Sequence, residues 1–226
     1  MSEHIVKAYD TELQDLDDMI VEMGEATARQ IQDSIQSVIT RNTELAKAVI
    51  DLDQGVDQLE RKIDALAVRI LALRQPVAAD LRRVVAALKI SNQIERIADY
   101  AANMAKRALA LNDIPEVTPV YVLPRMVKIP LEMIRGVIKA YVDLDLEAAY
   151  RIWQLDEEVD EMYMSYLREL LTYMMEDPRN IGPCTHLLFI AKNIERIGDQ
   201  CTNIAESIHY MVKGTPFEES HIESAS

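Results

Sequence analysis

Residues 88–105, LKISNQIERIADYAANMA, lie over residues 188–205, LFIAKNIERIGDQCTNIA, without a gap at an offset of 100. The shared residues include Ile90/Ile190, Ile94/Ile194, Glu95/Glu195, Arg96/Arg196, Ile97/Ile197, Asp99/Asp199, Asn103/Asn203 and Ala105/Ala205. Apolar matches alone would say little, because any two core helices share them. The polar matches are the informative part. Upstream, Glu44, Leu52, Asp53, Val56 and Asp57 match Glu147, Leu155, Asp156, Val159 and Asp160 at an offset of 103. A unit of about half the chain is therefore duplicated.

Outward from this motif the apolar residues step by three or four, the period of a helix and not the alternation of a strand. Leu13, Leu16, Ile20, Met23, Ile31, Ile35 and Val38 begin a stripe that continues through Leu45, Ala48 and Leu52. The first break is expected at Asp51–Gly55, since glycine costs a helix interior about 1 kcal/mol. A second stripe, Val56 to Leu73, stops at Arg74-Gln75-Pro76, where proline removes a donor and restricts its predecessor. Asp80 is placed to cap a third helix through Ala108, and Asn112–Pro119 reads as a linker. The pattern then returns. A fourth helix runs from Pro124 or Pro130 to Leu155, with Met133, Val137, Ala140, Leu144 and Ile152 inward. A fifth ends at Glu176-Asp177-Pro178, and a sixth at Lys213-Gly214. The expected fold is all-α, two tandem homologous three-helix bundles related by a pseudo-twofold repeat. The expected units are residues 10–112 and 120–214, with an acidic, loose tail over 215–226.

Composition agrees. The 226 residues include only 6 Gly and 8 Pro, too few turn-formers for a many-stranded β-fold. At 49% hydrophobic the chain can fill a core, yet no run approaches 18 apolar residues, so no membrane span is expected. The N-terminus lacks the basic, apolar, small-residue order of a signal peptide. The balance of 38 acids against 24 bases, a formal charge of −14, opposes nucleic acid and direct docking on anionic lipid. Cys184 and Cys201 make no disulfide framework, which fits a reducing compartment.

Each repeat holds two acidic pairs at i and i+4: Asp53/Asp57 with Glu95/Asp99, and Asp156/Asp160 with Glu195/Asp199. That spacing sets both carboxylates on one helix face. In an antiparallel hairpin, residues facing each other have a constant index sum. Pairing Asp57 with Asp99 centres the turn on residue 78, and pairing Asp160 with Asp199 centres it on 179.5, both in turns already read from proline. Four carboxylates per repeat should therefore converge, with Asn103 and Asn203 continuing the face. Oxygen ligands without His or Cys suit magnesium, calcium, manganese or iron. The rival reading is electrostatic: Asp53 and Asp156 as N-caps, with Arg96 and Arg196 neutralising Asp99 and Asp199 at i+3.

Other candidates carry less. His186 and His209 lack a second ligand at useful spacing, Cys201 falls on the apolar stripe, and the 11 Met residues suit core or interface filling. No Gly-rich phosphate loop, nucleophile elbow or zinc-protease motif occurs, so no catalytic residue is assigned.

ERIAD at 95–99 and ERIGD at 195–199 resemble the PhoU family of phosphate-uptake regulators. So do Arg74-Gln75-Pro76 with Asp80-Leu81-Arg82, Thr172–Asp177, Arg196–Cys201 with Asn203-Ile204, and Tyr210–Gly214. The resemblance runs from about Asp10 to Phe217. It implies tandem three-helix bundles, a cytoplasmic homodimer and multinuclear metal clusters, often iron or zinc. By carry-over, Glu95, Asp99, Glu195 and Asp199 match the motif itself, and Asp53, Asp57, Asp156 and Asp160 its partner on the preceding helix. It further implies a negative regulator of the phosphate-starvation regulon. Such proteins link the ATPase subunit of the ABC phosphate transporter to the phosphate-sensing histidine kinase, meeting the inner membrane through those partners. The departures are Pro124 and Pro130 near the start of the fourth helix, and Ala98 where Gly198 stands in the second repeat. The rivals from other classes are a carboxylate-bound multinuclear-metal enzyme and a metal buffer.

Overall fold

The computed structural model describes residues 2–115 and 117–218, with side chains from Tyr9 onward. Its helices are α1 (Ser2–Ile39), α2 (Thr43–Arg74), α3 (Ala78–Asn112), α4 (Leu123–Met126), α5 (Lys128–Asp143), α6 (Leu146–Gln154), α7 (Asp156–Glu176) and α8 (Ile181–Lys213). Short 3₁₀ turns at Thr118–Val122 and Pro178–Asn180 complete them, and no strand occurs among the described residues. In the first repeat α1, α2 and α3 pack on one another. In the second, α5, α6–α7 and α8 take the corresponding places.

Two caps mark the duplication. Asn42 and Asp145, 103 residues apart, both have extended backbones and accept from Leu45 N and Ala148 N, each at 3.0 Å. These bonds satisfy donors that a helix start leaves open. Upstream of the caps the buried residues keep the same offset, as Ile31/Ile134, Ile35/Ile138 and Val38/Tyr141.

The caps also correct the sequence reading at two places. The break between the first two helices lies at Thr40–Asn42, not at Asp51–Gly55. Arg41 turns the chain at φ 52° and donates to Asn112 O (2.8 Å) and Ile114 O (2.6 Å) at the end of α3. Gly55 instead lies inside α2, with nothing within 4 Å of where a Cβ would be. The Asn42 cap with the Arg41 clamp therefore outweighs one glycine's preference. Likewise the fourth helix does not run to Leu155. It stops at Asp143, and Leu144 adopts φ 54° with 55% of its surface exposed, not inward. A smaller correction concerns α3, where Val77 occupies the cap position and Asp80 falls in the first turn.

Where α2 is continuous, its counterpart bends at Leu155, whose N–H turns to Ile152 O and separates α6 from α7. The other stops hold. Proline follows Gln75 and Asp177, and Gly214 ends α8 at φ 76° with its N–H on Tyr210 O at 2.8 Å.

The repeats meet along α3 and α8. Arg82 Nε donates to Met211 O at 3.1 Å, Lys89 lies over Tyr210, Arg196 over Tyr100 and Arg107 over Phe189. The index sums of these pairs stay between 293 and 299, so the two helices are antiparallel and centred near residues 98 and 198. That level is the ERIAD/ERIGD motif. A second join links α1 to α5: Tyr141 donates to Asp17 Oδ1 at 2.6 Å, and Arg83 of α3 pairs with the other oxygen.

Candidate metal centres

In the first repeat, the turn after Gln75 folds α3 back on α2 and brings Asp53, Asp57, Glu95 and Asp99 into one electrostatic neighbourhood. The Asp53 carboxyl is pushed up to about 6, first by burial, then by the charges of Asp99 and Asp57; Lys106 and the Gln30 amide act against this. Glu95 is also raised, by burial and then by Asp99, Asp57, Glu60 and Asp53. Glu60 thus joins the cluster, itself raised by burial and by Asp64 and Asp57. It stands at i+3 from Asp57, on the same face of α2, a spacing visible in the sequence. Matching the repeats hides it, because residue 163 is tyrosine.

The second repeat gathers Asp156 and Asp160 of α7 with Glu195 and Asp199 of α8. Burial, followed by Asp199, Asp160 and Glu195, pushes Asp156 up to about 7. Glu195, only 8% exposed, is raised by burial although the Lys192 ammonium pairs with it. Asp199 is raised as well, by burial and Asp160, against Lys192 and Arg196. Two carboxylate oxygens here, Asp156 Oδ1 and Glu195 Oε2, are buried without a hydrogen-bond partner. Gly198 makes room for one of them, since a Cβ at that position would collide with Asp156 Oδ1. A buried carboxylate oxygen with no donor is costly and commonly marks a place for an ion or a proton.

The N-cap alternative is not supported. Asp53 lies inside α2, and Asp156 opens α7 without a side-chain cap bond at its start. Nor do Arg96 and Arg196 neutralise the motif carboxylates by contact. Among the described residues neither forms an ion pair, although Arg196 lowers Asp199 from a distance. Asp57 approaches Arg61 only at 4.0 Å. Asn103 and Asn203 are exposed and engaged locally: Asn103 Oδ1 accepts from Lys106 at 3.3 Å, and Asn203 donates to Asp199 O at 2.8 Å. As the side chains stand, no group of three His, Cys, Asp or Glu among the described residues is arranged to hold an ion. The fold thus supplies converging charge, and Asp156 with Glu195 supplies unsatisfied oxygens.

Elsewhere the chemistry is quiet. Both cysteines are free and buried, and burial pushes both thiols up, away from thiolate reactivity. His209, buried on α8, bonds Tyr150 Oη through Nδ1 at 2.6 Å and packs beside Phe217, which also touches Trp153. Phe217 is therefore seated on the second repeat, while residues 219–226 of the expected tail lie outside the described residues. A 360 Å³ groove between α1 and α5, lined by Gly24, Arg135, Ile138, Lys139 and Val142, contains none of the clustered carboxylates. No described helix is long and apolar enough to cross a membrane.

The geometry has parallels. The model of the PhoU domain matches residues 20–108 and again 123–208. Over 218 residues the chain is 48% identical to the phosphate-specific transport system accessory protein PhoU homolog of Caulobacter vibrioides, covering 95% of this chain and 94% of that one. The phosphate-specific transport system accessory protein PhoU of Escherichia coli K12 is 37% identical over 217 residues, 96% of this chain and 90% of its own. The crystal structure of PhoU from Pseudomonas aeruginosa superposes with a TM-score of 0.88 at 36% identity, covering 92% of this chain and all of that one.

Proposed function

The chain belongs to the PhoU family, and from that premise we propose that it is an accessory, regulatory protein of a phosphate transport system. The observation that carries this reading is the two-fold match of the domain, over residues 20–108 and 123–208, with 48% identity to an accessory protein of that system. Its finer role is negative regulation of the phosphate-starvation regulon. In that role it acts as a homodimeric, cytoplasmic adaptor between the transporter's ATPase subunit and the phosphate-sensing histidine kinase. A non-enzymatic role follows the accessory-protein names of its relatives.

The two acid clusters are read as metal-binding. Asp53, Asp57, Glu95 and Asp99 would hold cations in the first repeat, and Asp156, Asp160, Glu195 and Asp199 in the second. The orphaned oxygens of Asp156 and Glu195 fit a hard ion, and the all-oxygen donor set fits iron, manganese or magnesium more readily than zinc. A bound cation would offset the mutual repulsion of carboxylates that the hairpin forces together. Deletion in the native host tests the regulatory role: expression of phosphate-starvation genes should rise in phosphate-rich medium. Unchanged expression would contradict it.

A further inference from the structure

The seam between the repeats has the opposite sign to the clusters beside it. Arg82, Lys89, Arg96 and Arg107 of α3 fall, at about 100° per residue, within roughly 40° of one another around that helix. Arg196 of α8 faces the same seam, its guanidinium over the Tyr100 ring at 5.8 Å. Lys89 lies over Tyr210 at 5.2 Å and Arg107 over Phe189 at 4.4 Å. None of the five makes an ion pair with a carboxylate among the described residues. In a chain with 38 acids and 24 bases, five neighbouring cations with no carboxylate at ion-pair distance are not what composition alone would leave.

The ring contacts matter for what the seam can do. An aromatic face attracts a cation and fixes its position without consuming its N–H donors. Lys89, Arg96 and Arg196 are exposed, so their donors remain available to a carboxylate. Arg82, Lys89 and Arg96 are seven residues apart in turn, which spaces them about 10.5 Å along α3. A helix bearing an acidic residue at every seventh position presents carboxylates at that same interval. The whole stripe, from Arg82 to Arg107, is about 38 Å long.

Width decides among anionic partners. Glu95 and Asp99 lie further round α3 toward α2, and Glu195 and Asp199 further round α8 toward α7. A broad anionic surface, such as a bilayer or a nucleic-acid duplex, would press on those carboxylates and be repelled. A single helix seated along the seam meets the cations first, leaves Glu95 and Glu195 aside, and has Asp99 and Asp199, at i+3 from Arg96 and Arg196, only at its rim. We propose that the α3–α8 seam docks an acidic α-helix of a partner protein, its carboxylates spaced by heptads against Arg82, Lys89, Arg96 and Arg196. This rests on the seam's own charge and geometry, so it can fail while the phosphate reading stands, and the reverse.

The test uses the full chain and a fluorescent 28-residue helical peptide with Glu at every seventh position, against the same peptide with Gln there. Anisotropy should show the Glu peptide binding at least tenfold tighter, with affinity falling as salt rises. Lys89→Glu with Arg96→Glu and Arg196→Glu should weaken it at least tenfold. Arg125→Glu with Lys128→Glu, on α4 and α5, should leave it unchanged. Equal binding of the two peptides to the wild-type chain, or none, would overturn the proposal whatever the variants do. So would sedimentation with phosphatidylglycerol vesicles, or a shift with duplex DNA, that the seam variant abolishes while the peptide is ignored.

Discussion

In the first repeat five carboxylates, Asp53, Asp57, Glu60, Glu95 and Asp99, share a hairpin with Lys106 nearby; in the second, four share it with Lys192 paired to Glu195. The helical frame is the same, and substitutions between equivalent positions make the difference, Lys106 to Glu206 among them. Glu60 becomes Tyr163, over which Lys192 lies at 5.2 Å. Asn92 becomes Lys192 itself, and Ala98 becomes Gly198. The first cluster carries more charge and is relieved at a distance. The second carries less but holds it deeper, with Asp156 drawn against α8 into the space a methyl group would fill. A duplicated fold can thus keep one electrostatic motif while dividing it into a more open and a more buried version.

Breaking the clusters one at a time should give the largest effects. Asp156→Asn with Asp199→Asn should remove the second repeat's share of metal uptake by equilibrium dialysis, and Asp53→Asn with Asp99→Asn the first's. Outer partners of metal ligands already cost 10–100-fold, so each loss should exceed about 100-fold in affinity. Acidity should then separate the repeats. Binding a cation requires Asp156 to lose a proton held up to about 7, and Asp53 one held only to about 6. Between pH 8 and pH 6, uptake by the second repeat should therefore fall about tenfold, and by the first much less, read on the two single-cluster variants.

The metal-free fold should show the same group from the other side. Asp156 holds its proton more tightly folded than unfolded, so the folded state binds more protons between about pH 4 and pH 7. Its contribution is full at the acid end and is lost as pH rises through about 7. Asp156→Asn should remove that slope and stabilise the metal-free protein at pH 8 by about 1–2 kcal/mol, allowing for solvent screening at a half-buried site. Thermal melts at pH 5 and pH 8 read it, and an unchanged slope would sever Asp156 from the effect. Smaller still, Gly198→Ala should press Asp156 outward and bring its titration, followed by carboxyl NMR, down toward that of Asp53. The cost in stability should stay near or below about 1 kcal/mol, because the atom displaced ends a flexible side chain.

The two regions also differ in how openly the sequence announces them. The α2–α3 and α7–α8 hairpins were legible because proline fixes their turns and the acidic pairs reflect across them. The starts of α2 and α6 were not, since Asn42 and Asp145 look like ordinary polar residues until their side chains are seen accepting from Leu45 and Ala148. Gly55, by contrast, looks like a break and sits inside α2, because an exposed glycine costs less than losing the cap and the Arg41 clamp. Within the site, the eight carboxylates could be read from spacing alone. Lys192 at i−3 from Glu195 could be seen too, but whether it paired with that carboxylate or reached solvent depended on the depth at which α7 packs on α8.

The most direct measurement is a calorimetric titration of metal-stripped protein with ferrous, manganous and magnesium ions, with bound metal counted per chain. Uptake should come in two sets, one abolished by Asp53→Asn with Asp99→Asn and the other by Asp156→Asn with Asp199→Asn, while helicity by circular dichroism persists. No uptake of any of these ions, or uptake undiminished when all four aspartates are replaced, would contradict it.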